Sequence, residues 1–290
     1  MTYNITHRTL YEYAAPVAVS HHVARLEPRA THSQSRENFT LKIFPEPTLR
    51  KSRQDYFGNP LCFFSIQEIH RKLEIITHSR VTLNSGKPPV TETSLAWEKV
   101  AAMFRDPVSP DVVGPYQFVF DSPQVRASFE LADYARQSFP DGTLVLAGAS
   151  DLTRRIFTDF KYDPKATTVA TPLEEVWEKR RGVCQDFAHL GIACLRSLGL
   201  PARYVSGYLR TRPPQGQPRL VGVDASHAWF AIYCHGVGWV DFDPTNNVQP
   251  ADEHITVAYG RDFGDVSPVA GILTGGGEHE VKVSVDVAEV

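Results

Sequence analysis

The stretch 184–198 constrains the fold more than any other part of this chain. Phe187, Ala188, Gly191, Ile192, Leu195 and Leu198 recur at helical spacing on one face, and Gly199 followed by Pro201 ends the run. Immediately afterwards the apolar period changes from 3.6 to 2. Residues 203–209, 227–234, 239–243 and 281–287 read as strands, and His235-Gly236-Val237-Gly238 supplies a hairpin turn between the second and third. Helices followed by antiparallel strands make an α+β arrangement.

Upstream the pattern is different. Phe39, Leu41 and Ile43 alternate with Thr40 and Lys42, the period of a half-buried strand, and residues 63–66 and 73–83 look similar. Turn signals lie at Phe44-Pro45-Glu46-Pro47 and at Tyr56-Phe57-Gly58-Asn59-Pro60. Short strands at such spacing predict an N-terminal β-sandwich over residues 1–90. A bridge, Ser85-Gly86-Lys87-Pro88-Pro89, and the prolines at 107, 110, 115 and 123 mark residues 91–150 as linker and helical part of the next unit. Ser122 is placed to cap a helix starting at Pro123. Leu152, Ile156 and Phe160 form an apolar stripe, and Thr171-Pro172-Leu173-Glu174 has capping-box spacing. Residues 151–290 then form the core, with an exposed, mobile loop expected over 210–218.

Composition excludes several classes of partner. A formal charge of −3 over 290 residues gives no electrostatic reason to expect nucleic acid or an anionic membrane. No stretch reaches the roughly 18–20 apolar residues that cross a bilayer, and the N-terminus lacks the pattern of a cleaved signal. Four cysteines without a CxxC pair indicate neither a disulfide framework nor a zinc ribbon. A reduced, bacterial-type cytoplasm is the expected location.

Of those cysteines, Cys184 stands apart because it opens the helix. Free N–H groups and a partial positive charge at a helix start favour a thiolate, the form that attacks a carbonyl, although a buried cysteine there is also ordinary packing. Cys62, Cys194 and Cys234 sit in apolar surroundings and read as core. A thiolate needs a base and the base an orienter. His227 begins one strand of the hairpin, and Asp243 lies near the end of the other. If the turn comprises residues 235–238, direct pairing sets Asn246 opposite His227 and turns Asp243 to the other face. Both remain candidates for the orienter.

Four blocks together resemble a known family. Gly182-Val183-Cys184-Gln185-Asp186-Phe187-Ala188-His189-Leu190, Ala202-Arg203-Tyr204-Val205-Ser206-Gly207-Tyr208, Ser226-His227-Ala228-Trp229 and Asp243-Pro244-Thr245-Asn246 are similar to the bacterial transglutaminase-like core. His7-Arg8-Thr9-Leu10-Tyr11-Glu12-Tyr13 and Asp55-Tyr56-Phe57-Gly58-Asn59 resemble the β-rich region that precedes that core in bacteria. The resemblance implies a papain-like fold, with the thiol on a helix packed against an antiparallel sheet. It also implies Cys184 as nucleophile, His227 as base and Asp243 as orienter. Attack on amide or isopeptide carbonyls of a peptide or protein substrate follows, with hydrolysis favoured over transfer to an amine. A catalytically silent peptide-binding module of the same fold is the competing class.

Other polar residues near the site receive lesser roles. His189 lies about 140° around the helix from Cys184 and reads as packed or cleft-lining. Asp186 complements the helix dipole, Gln185 faces solvent, and Tyr162 is an optional oxyanion donor. Trp229 and Trp239 read as core or cleft walls. Cys184, His189, His227 and Asp243 have zinc-ligand chemistry but no paired-ligand spacing, and no calcium loop is present, so no metal or cofactor is expected.

Overall fold

The computed structural model describes residues 1–84, 86, 91–107, 109–211 and 225–290. Most of the bridge at 85–89 and of the loop at 210–218 lies outside the described residues.

The chain opens with β1 (Thr2–Ala24), followed by β2 (Gln34–Phe44), β3 (Leu49–Gln54), β4 (Pro60–Ile66) and β5 (His70–Leu83). Helices α1 (Trp97–Arg105), α2 (Pro110–Tyr116), α3 (Phe129–Arg136) and α4 (Val145–Asp159) come next. The short β6 (Lys161–Tyr162), α5 (Leu173–Lys179) and the short β7 (Arg181–Gly182) lead into α6 (Cys184–Ser197). Then follow β8 (Ala202–Leu209), β9 (Ala225–Cys234), β10 (Gly238–Phe242), β11 (His254–Gly260), α7 (Phe263–Val266), β12 (Val269–Gly275) and β13 (His279–Glu289).

The N-terminal β-region is organised by the length of β1. Its first half pairs with β5 and β13, its second half with β4 and β12, and the register breaks between Glu12 and Val17. Tyr13, Val17, Leu41, Ile43, Phe64, Ile66, Leu73 and Ile75 are buried between the two halves as one apolar cluster. The last two strands therefore return to the N-terminal sheet. Strand periodicity marks Val281–Val287 as β-structure but carries no information about its partner, which is the side of β1 that β5 leaves open.

The core is an antiparallel sheet in the order β10-β9-β8-β11 with α6 laid across β9 and β8. Alternation along β9 explains that packing. Ala228, Phe230 and Ile232 join the helix side, while Trp229 and Ala231 form a separate cluster with Val205 on the opposite face. The helix buries Phe187, Leu190, Ile192 and Leu195, each contributing roughly 1.5–3 kcal/mol. Close approach requires Gly191, since a Cβ there would lie 2.6 Å from the Phe230 ring. Further upstream, no helix starts at Pro123; Ser122 closes a small turn with Val125, and Ser128 caps α3 by accepting from Leu131 N–H. Nor does Thr171 cap α5, which begins after Pro172 with no side-chain cap. Among the described residues, no helix is long and apolar enough to cross a membrane.

Gly191→Val is expected to lower stability by about 1–3 kcal/mol through overpacking against Phe230. A urea titration reads this as a lower midpoint at constant slope. An unchanged midpoint would mean that α6 can lift from β9 at no cost.

Candidate functional site

The position of Cys184 is built by its neighbours on α6. Asp186, one turn in, accepts from Val183 N–H at 2.8 Å and from Thr167 Oγ1 at 2.6 Å. One of the helix's free N–H groups is thereby satisfied. Gly182 is needed in this turn, because a Cβ would stand 2.6 Å from Asp186 Oδ2. Burial raises the Asp186 pKa, opposed by the Thr167 and Val183 hydrogen bonds. Cys184 is half-buried at the helix start, whereas Cys62, Cys194 and Cys234 are buried. Burial pushes the Cys194 thiol up to about 12, out of use as a nucleophile.

His227 reaches this sulfur from the start of β9. Burial alone would lower its pKa. Hydrogen bonds to Asp243 and to Cys184, with the charges of both, outweigh burial and push the imidazole up to about 10. Its Nε2 lies 2.8 Å from Asp243 Oδ2, which leaves Nδ1 outside that bond. The three expected residues are therefore brought together.

One residue of turn length sets which face Asp243 presents. Gly238 pairs with Cys234, so the hairpin turn has three residues, 235–237, rather than four. That single step flips the faces of β10 and turns Asp243 to the side of His227. Beyond Phe242 the chain leaves the ladder, with Asp243 bridging to Val248. Asp243 Oδ1 accepts from Thr245 N–H at 2.9 Å and Asn246 N–H at 3.2 Å. Asn246 Nδ2 lies 2.7 Å from Asp243 Oδ2 and 3.3 Å from His227 Nε2. With His227 Nε2–H aimed at the carboxylate, both nitrogens are donors, so the amide serves Asp243.

One participant was invisible in the sequence. His254, at the start of β11, places Nε2 3.0 Å from the same Asp243 Oδ2. No motif surrounds it, and only the sheet register connects it to the site. Nε2 of His227, Oδ2 of Asp243 and Nε2 of His254 lie within 4.8 Å of one another, a spread one divalent ion could bridge. An ion would have to displace the two N–H···O bonds that these atoms already make. The other conceivable zinc ligand, His189, is elsewhere: its Nε2 accepts from Phe263 N–H at 3.1 Å, and burial lowers it to about 4.

The remaining expected residues fall around this centre. Tyr162 pairs alongside Gly182 through β6 and β7. Its phenol is raised first by burial and then by the charge of Cys184. Gln185 donates to Val169 O at 3.3 Å. Trp229 is fully buried and Trp239 half-buried, with Trp229 packed edge-on against His254 at 5.2 Å.

A pH dependence of stability follows from the raised imidazole. A histidine lifted from 6.5 to about 10 contributes stability in full below pH 6.5 and loses it as pH rises toward 10. Denaturation midpoints are expected to fall over that window. Cys184→Ala, which removes one of the two partners, should flatten the decline; an equally steep decline would refute the pairing.

Two family descriptions match the chain. The bacterial transglutaminase-like N-terminal region matches residues 3–82, and the transglutaminase-like superfamily core matches 132–244. Rv2569c, an uncharacterized protein of Mycobacterium tuberculosis, is 37% identical over 290 residues, covering 98% of this chain and 92% of that protein. A protein-glutamine gamma-glutamyltransferase of Pseudomonas aeruginosa is 30% identical over 137 residues, 44% of this chain and 19% of that protein. The crystal structure of a proposed cysteine protease from Cytophaga hutchinsonii superposes with a TM-score of 0.74 at 21% identity. It covers 99% of this chain and 90% of its own, a likeness of fold. With these matches over both regions, the chain belongs to the transglutaminase-like superfamily.

Proposed function

We propose that this chain is a thiol-dependent acyl-transfer enzyme that opens amide or isopeptide bonds through a Cys184 thioester and passes the acyl group to water. The observation that carries this reading is the single chain of contacts from Cys184 through His227 to the buried Asp243. In the proposed mechanism, Cys184 Sγ attacks the carbonyl carbon as thiolate, with His227 protonated beside it. Negative charge develops on the carbonyl oxygen, facing the Cys184 backbone N–H at the helix start and the Tyr162 hydroxyl. The C–N bond breaks as His227 gives its proton to the leaving amine. Neutral His227 then takes a proton from water, the hydroxide adds to the thioester, and the C–S bond breaks to return the thiolate.

A second reading replaces water with a primary amine and makes the enzyme a transferase. It is favoured by the Pseudomonas relative, a protein-glutamine gamma-glutamyltransferase that aligns with part of this chain. The same residues serve either outcome.

Incubation with a peptide library, with and without a primary amine, separates the two by mass spectrometry. Cleavage or deamidation is expected, and amine incorporation outpacing both would favour transfer. Cys184→Ala should abolish turnover, His227→Ala should reduce it by about 10²–10⁴, and Tyr162→Phe by about 10². Iodoacetamide should label Cys184 before Cys62, Cys194 and Cys234. If Cys184 reacts no faster than these at neutral pH, and His227→Ala leaves its rate unchanged, the protein is a binding module and not an enzyme.

A further inference from the structure

Strand β11 lies at the end of its sheet, so one row of its backbone groups faces away from β8. Two side chains from the N-terminal region occupy that row. Gln34, buried, accepts from Thr256 N–H through Oε1 and donates to Thr256 O through Nε2, both at 2.8 Å. Asn59, with no exposure, accepts from Tyr259 N–H at 3.0 Å and donates to Tyr259 O at 2.9 Å. Each amide thus bonds the N–H and C=O of one residue, as a neighbouring strand would. The spacing of three between Thr256 and Tyr259 fits the register shift between Thr256 and Ala258.

The amides are themselves held in place. Gln34 also donates to Arg29 O at 2.7 Å, and Asn59 donates to Asp55 Oδ2 at 2.9 Å. Arg29 donates to Asn59 Oδ1 and to the Tyr259 hydroxyl. What β11 carries is His254, two residues before Thr256, with its Nε2 on Asp243. His254 also lines a cavity of about 410 Å³, shared with His32, Gln34, Trp229, Asp241 and Thr256. His254 therefore borders both that cavity and a carboxylate with no exposure.

We propose that the N-terminal sheet is a positioning element of the candidate active site: Gln34 and Asn59 replace the missing neighbour of β11, and the strand so held keeps His254 on the carboxylate that orients His227. His254 and Gln34 are positioning residues, since neither touches the reacting atoms. The proposal rests on the catalytic reading of Cys184, His227 and Asp243 given above. It assigns the N-terminal region a task beyond covering the core.

The test reads the hydrogen bonds directly, in the full-length protein labelled with 15N at histidine. An imidazole N–H bonded to a buried carboxylate exchanges slowly with water, and two such protons are expected, from His227 and His254. In His254→Ala, water from the cavity reaches Asp243, and the His227 proton should exchange at least about fivefold faster. His254→Gln, whose amide nitrogen falls where Nε2 was, should restore protection. Gln34→Ala should accelerate the His254 proton by a similar factor without a large change in melting temperature. Should that variant not fold, Gln34→Glu, which keeps the acceptor for Thr256 N–H and loses the donor, is read in the same way. Protons as protected in folded His254→Ala or in a folded Gln34 variant as in the parent would overturn the proposal. Alkylation of Cys184 answers a separate question. A parent protein without selective labelling would end the catalytic reading, while proton exchange would still decide how Asp243 is held.

Discussion

A carboxylate withdrawn from water is costly unless its lone pairs find donors, and the geometry of this molecule converges on one such group. Asp243 has no solvent exposure. Its Oδ1 receives two backbone N–H groups from the turn that follows it, and its Oδ2 receives His227, Asn246 and His254. Despite burial, these bonds hold its pKa below the ordinary carboxylate value. The charge persists where it would otherwise neutralise, and it can keep an imidazole protonated beside a thiol. Loss of any one donor would shift the balance for the others, because all share the same two oxygens.

The helix that carries Cys184 meets this carboxylate's partner only because two local conditions hold. Gly191 lets α6 approach Phe230, and Gly182 leaves room for Asp186 to turn back onto Val183 N–H. The first sets the height of the helix over the sheet. The second sets the exit of the chain into its first turn. Neither glycine is at positive φ, so both are required by side-chain space and not by backbone strain.

Much of this was legible from period and punctuation. The α6 stripe, its end at Gly199 and the strands β8, β9 and β10 follow from spacing of apolar residues, since helix and strand bury faces at different intervals. That Asp243 shares the face of His227 was not legible by spacing, because going from a three- to a four-residue hairpin turn inverts every side chain beyond it. His235-Gly236-Val237-Gly238 contains glycines that suit either length, and only the family resemblance favoured Asp243. Partnership between distant strands was hidden for a different reason. Periodicity reports which face is buried but not against what, so the return of β12 and β13 to β1 left no trace. His254 was hidden in the same way, as a histidine opening a strand without a neighbouring motif.

The segment Asp55-Tyr56-Phe57-Gly58-Asn59 shows how a motif without reactive chemistry can still be tied to a site. Asp55 Oδ1 accepts from Phe57 N–H and Asn59 N–H, and Gly58 adopts φ +73 to close the turn. The turn presents the Asn59 amide to Tyr259 in one orientation. An edge strand has one neighbour fewer to fix its register, and a slip of one residue would turn His254 away from Asp243. Two amides, each matched to both backbone groups of a single residue, oppose that slip more strongly than an apolar contact would, because hydrogen bonds have direction and apolar packing does not. Sequence separation conceals the relation, since Asn59 and Tyr259 stand 200 positions apart. Besides its ladder with β8, the strand thus has two partners outside the segment that contains the thiol, imidazole and carboxylate.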